Sequence, residues 1–80
     1  MSAPRRHRPL DVLLYDECKQ AISQARLCET DYNIATLYLL ERMPQIEVAD
    51  TLDIARSTIS RRLPEIEQRI EYVAKRIGYI

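Results

Sequence analysis

Eighty residues suffice for a single domain, and at that size folding buries only a modest share of the surface, which leaves no room for a large enzyme core. One Gly, five Tyr, no Trp and no Phe stand beside many long apolar and charged residues. This composition is poor in strand and turn signals and predicts an all-α fold, a small helical domain of four to five helices. Twelve basic residues balance twelve acidic ones for a formal net charge of zero, which argues against a protein that coats nucleic acid indiscriminately.

Residues 1–8, MSAPRRHR, carry Arg5, Arg6 and Arg8 with no acid and no apolar periodicity, so they are expected to form a flexible basic arm ahead of a helical domain over 9–80. Such an arm can enter a minor groove or serve as a solvated tail, and His7 reads as a bystander within it. Pro9 and Asp11 then suit a helix start. A first helix is predicted from residue 9 to 27 or 28, with a seam of Leu14, Cys18, Ala21, Ala25 and Cys28, widened by Leu10 and Ile22. The spacing leaves open whether that seam meets the same chain or a second copy.

Cys18 and Cys28 have no second pair of cysteines and only His7 for company. No zinc or disulfide pattern results, and both read as small buried apolar residues in a reducing compartment. No apolar run is long enough for a membrane span, and no signal-peptide core follows the basic start, so a cytoplasmic protein is expected. Nothing forms a nucleophile–base pair, a phosphate loop or a metal set; neither an enzyme nor a cofactor is expected.

Thr30 reads as the N-cap of a second helix reaching Arg42 or Met43, whose dense apolar content predicts a central, largely buried position. Pro44 ends it by disfavouring a helical residue before it. In the stretch PQIEVADTLDIARSTISRRL, Val48, Ala49 and Leu52 share one face of a short helix, while Ile59 and Leu63 are four apart on the next. Ala49 permits a close crossing of the two. Opposite that core, Arg56, Arg61 and Arg62 with Ser57, Thr58 and Ser60 form a surface free of carboxylates, suited to phosphates and base edges.

This stretch resembles the helix-turn-helix of bacterial and phage transcription regulators and the promoter-reading segment of sigma factors; with the preceding DYNIATLYLLERM the likeness extends over about half of the chain. The resemblance implies a helix-turn-helix over about 44–63: a supporting helix over 45–52, a turn over 53–55 and a recognition helix over 56–63. It puts Ala55, Arg56, Ser57, Ser60 and Arg61 towards the groove, and Gln45 and Arg62 nearer the phosphates. Asp53 stands where the family usually has glycine, and Asp tolerates the left-handed backbone at some cost. Small factors of this kind are often phage or plasmid regulators.

Pro64 predicts a break or sharp kink before a last helix over about 65–77, although the apolar register from Ile59 to Ile80 continues across it and fits a kinked, nearly continuous helix too. Glu65 with Arg69 and Glu71 with Lys75 are spaced as supporting ion pairs, and Gly78 as a C-terminal cap. Ile66, Ile70, Val73, Ile77 and Ile80 form a stripe that suits either a dimer interface, rimmed by Tyr72 and Tyr79, or the first helix's seam within one chain. The expected function is a transcriptional regulator that reads double-stranded DNA at a pseudo-palindromic operator as a homodimer. The alternative is a sigma-like or protein-interaction module that grips RNA polymerase or another regulator through an acidic surface containing Glu41, Glu47 and Asp50.

Overall fold

The computed structural model describes residues 9–80, which are helical with no strand among them; the basic arm, with Arg5, Arg6, His7 and Arg8, lies outside the described residues. A 3-10 turn over Pro9–Val12 leads to α1, Tyr15–Gln24. Helix α2, Glu29–Ala35, widens into a π turn over Thr36–Leu40. Helix α3 covers Gln45–Leu52 and α4 covers Arg56–Ile77.

The long α4 is the centre of the domain, with α1, α2 and α3 all packed on it. Its inner face, Ile59, Leu63, Ile66, Ile70 and Ala74, is buried against Ile22 and Ala21 of α1, Ile34 and Ala35 of α2, and Val48 and Ala49 of α3 in one core. No polar or charged residue is buried among the described residues. The second helix was expected to hold this central place. Instead, the π turn spreads Leu37, Tyr38, Leu39 and Leu40 around the axis, and each remains half-buried.

Pro64 lies inside α4 without ending it, so the predicted separate helix over 65–77 is replaced by one helix of 22 residues. The missing N–H deprives the Ser60 carbonyl of its helical partner, a defect of about 3 kcal/mol. Ser60 and Pro64 are both exposed, so water can reach that carbonyl. On the opposite side Ile59, Leu63, Ile66 and Ile70 are almost wholly buried, each contributing about 1.5–3 kcal/mol. The hydrophobic face therefore outweighs the lost bond.

The first helix is shorter than its pattern. Leu14 precedes α1 and is exposed, its N–H donating to the Glu17 carboxylate at 3.0 Å. At the other end the chain turns at Ala25 and Arg26, and Cys28 is exposed, so it does not share the buried role expected for both cysteines. Cys18 does share it, and burial pushes its thiol pKa up, opposed by the charge of Arg42. The second helix begins at Glu29 after Cys28, so Thr30 falls within the first turn and is not its cap.

All four helical segments finish at or near a left-handed residue: Arg26, Arg42 and Asp53, with φ of 53°, 60° and 58°, and Gly78. At Asp53 the chain turns, the Asp53 N–H reaching the Asp50 carbonyl and the Ile54 N–H the Ala49 carbonyl.

Candidate nucleic-acid interface

Helix α3, the bend at Asp53 and the first two turns of α4 form the compact corner expected over 44–63. Val48 and Ala49 of α3 pack into the core beside Ile59 and Leu63 of α4, which points the remaining side of α4 outward. Arg56, Ser57, Ser60 and Arg61 line one shallow concavity there. Ala55 is exposed at the helix start, and Thr58 is half-buried. Among the described residues neither Arg56 nor Arg61 enters an ion pair.

Two expected contacts are tied to each other. The Ser60 hydroxyl donates to the Gln45 side-chain oxygen at 2.7 Å, which fixes the outer face of α4 against the start of α3. With its oxygen engaged, Gln45 keeps its amide N–H groups as donors.

Arg62 departs from the expectation. Its Nε donates to Asp31 of α2 at 2.8 Å and its Nη2 to the Cys28 sulfur at 3.9 Å. The hydrogen bond to Asp31, together with that carboxylate's charge, raises the Arg62 pKa. Arg62 thus latches α4 to α2 and does not stand free beside Arg56 and Arg61, where it was expected. Helical geometry explains it: a residue next to Arg61 is turned about 100° away, onto the flank that meets α2.

One feature of the site was overlooked in the sequence although its signal was present. Helix α4 is the one α-helix among the described residues with no acidic residue in its first turn; α1 has Asp16 and Glu17, α2 has Glu29 and Asp31, and α3 has Glu47. No side chain caps its first N–H groups either. The positive end of the α4 dipole therefore opens beside Arg56 without a side-chain cap, and the nearest acidic residue in sequence is Asp53 in the preceding turn.

The expected interface stripe at the other end of α4 is divided. Ile66 and Ile70 lie in the chain's own core and cannot face a second molecule, because α1 and α2 cover them; Val73 packs against the same core. Ile77 and Ile80 are each 37% exposed, and Tyr72 is 62% exposed, so an accessible apolar edge is confined to the last turns. Of the two ion pairs anticipated on α4, Lys75 meets Glu71 at 3.4 Å, whereas Arg69 turns from Glu65 to the Ala25 carbonyl at 3.4 Å.

The acidic side is also distinct. Glu47, Asp50 and Asp53 border a cleft with Ile46, Ala49, Ile54 and Ala55, and Ile46 is 60% exposed; Glu41 is exposed but outside that cleft. Among the described residues no cluster of three metal-ligating side chains occurs, and no helix is long and apolar enough to cross a membrane. Comparison with protein families, with characterised proteins and with solved structures finds no match.

Proposed function

We propose that this protein is a sequence-specific DNA-binding transcription regulator whose α4 N-terminal half enters the major groove. The observation that carries the reading is the outward face of Arg56, Ser57, Ser60 and Arg61, without ion pairs among the described residues and free of carboxylates, on a helix whose uncapped positive end lies beside it. Guanidinium forks pair with guanine edges or phosphates, and hydroxyls adapt to either. Arg56 and Arg61 are the base-reading candidates, with Ser57 and Ser60 adjusting, while Gln45 and the α4 N-terminus hold phosphate.

A single recognition helix makes few base contacts, so the reading includes a homodimer on an inverted repeat with half-sites about 34 Å apart. Of the C-terminal stripe, the part left for self-association is the edge at Ile77 and Ile80. A second reading, a module that binds RNA polymerase or another regulator, is favoured by one observation: exposed Ile46 is ringed by Glu47, Asp50 and Asp53 in a cleft with no basic residue.

Selection of duplexes from a random library by the purified protein tests the proposal. An enriched inverted repeat supports the dimeric reader, and one unpaired motif supports a monomer acting with a protein partner. No enrichment at low salt removes the DNA-reading proposal. Given an operator, Arg61→Ala is expected to cost about 1–3 kcal/mol, concentrated at one base position.

A further inference from the structure

A second group of arginines gathers on the far part of α4, assembled from two segments of the chain. Arg69 and Arg76 of α4 line an open cleft with Arg26, which follows α1 in the left-handed backbone conformation. The cleft has a volume of about 680 Å³, within the usual range for small-molecule sites. Gln24, Gln68 and Tyr72 complete its polar lining, and no carboxylate takes part.

Each of two arginines is held in place by a neutral partner. Arg69 donates to the Ala25 carbonyl at 3.4 Å, at the negative end of the α1 dipole. Arg76 stands 5.8 Å from the centroid of the Tyr72 ring, within cation–π range. These anchors order the side chains without neutralising them, and the ion pairs among the described residues include none of the three arginines. Like charges brought together repel unless an anion lies between them.

We propose that this cleft binds a multivalent phosphate oxyanion. Three guanidinium groups match the charge of a polyphosphate better than that of a single carboxylate, and their planar forks suit tetrahedral oxygens. The amides of Gln24 and Gln68 and the hydroxyl of Tyr72 add neutral donors. The cleft shares no lining residue with the proposed recognition face, its nearest α4 residue, Gln68, following Arg61 by about 10 Å along the helix axis, so it does not depend on that reading.

Calorimetric titration of the full chain with inorganic tripolyphosphate at low salt tests the site. The expected result is one saturable event that weakens at least about tenfold in the double variant Arg26→Asn/Arg76→Gln. Asn keeps the left-handed preference at position 26, and circular dichroism checks that the variant folds. Arg56→Gln/Arg61→Gln should bind tripolyphosphate as the parent does. Titration with a short duplex then separates the sources. A parallel loss in the Arg26→Asn/Arg76→Gln variant assigns the phosphates to nucleic acid, and unchanged duplex affinity assigns them to a free polyphosphate or nucleotide. Absence of saturable binding, equal weakening in both variants, or an oligoglutamate peptide binding as tightly as tripolyphosphate overturns the proposal.

Discussion

Arg56 and Arg61 project from consecutive turns of one helix, whereas Arg26, Arg69 and Arg76 reach their cleft from a loop and from a distant part of α4. The first group has hydroxyls for neighbours and no aromatic ring; the second has amides, a tyrosine ring and a helix-end carbonyl. The first therefore offers adaptable contacts along one helix face, and the second offers preset donors around a cleft between two segments. A basic surface on one helix needs only that helix to be oriented, but a cleft assembled from separate segments fails if any one of them shifts.

The largest expected effect comes from Ile59, which is fully buried beneath the first group. Ile59→Ala should reduce stability by about 2–5 kcal/mol in urea unfolding. Because both groups rest on one core, duplex and tripolyphosphate binding should be lost together as the variant unfolds. Loss of duplex binding alone, with the cleft intact, would show that the two ends of α4 fold separately.

Pro64 stands between the two groups. Pro64→Ala restores an N–H for the Ser60 carbonyl and removes the ring clash, and it also loosens the unfolded chain. The expected net gain is roughly 2 kcal/mol, read from the denaturation midpoint. A loss would mean that the proline itself shapes α4 around Ser60. Asp53→Gly affects the first group's turn only and should add about 1 kcal/mol by relieving the left-handed backbone, visible as a rise in Tm with no change in tripolyphosphate affinity.

The smallest effect concerns Arg62. Asp31→Asn removes the carboxylate that holds it and should free a third guanidinium for the first group, steepening the log–log salt dependence of duplex binding by about 0.9. An unchanged slope would show that Arg62 stays on α2 or already contacts phosphate.

The corner from Gln45 to Arg61 was legible because its determinants are local: Val48 and Ala49 on one side, Ile59 and Leu63 on the other, and a turn residue that tolerates positive φ. The withdrawal of Arg62 depends on Asp31, far away in sequence, and no spacing on α4 announces it. Pro64 misled because a local rule assigns it a cost while the compensating burial belongs to the whole core. The isoleucine stripe predicted an apolar face correctly, but periodicity does not say whether the partner belongs to the same chain. The second arginine group was illegible for a related reason: the turn after α1 brings Arg26 back to α4.

The π turn over Thr36–Leu40 bears on how this domain can change by insertion and deletion. Such a turn corresponds to one additional residue accommodated within a helix, and here it lies immediately before the segment that leads into α3. Deleting one residue from it would return the turn to α-helical pitch and, because the bulge already absorbs that residue, would leave the downstream chain close to its present register relative to Ile34 and Ala35. Val48 and Ala49 could then still reach α4 through the short connector over 41–44. This one turn thus takes up a one-residue change in length between the N-terminal half of the core and the α3–α4 corner, so a lineage could lose the residue without changing either side.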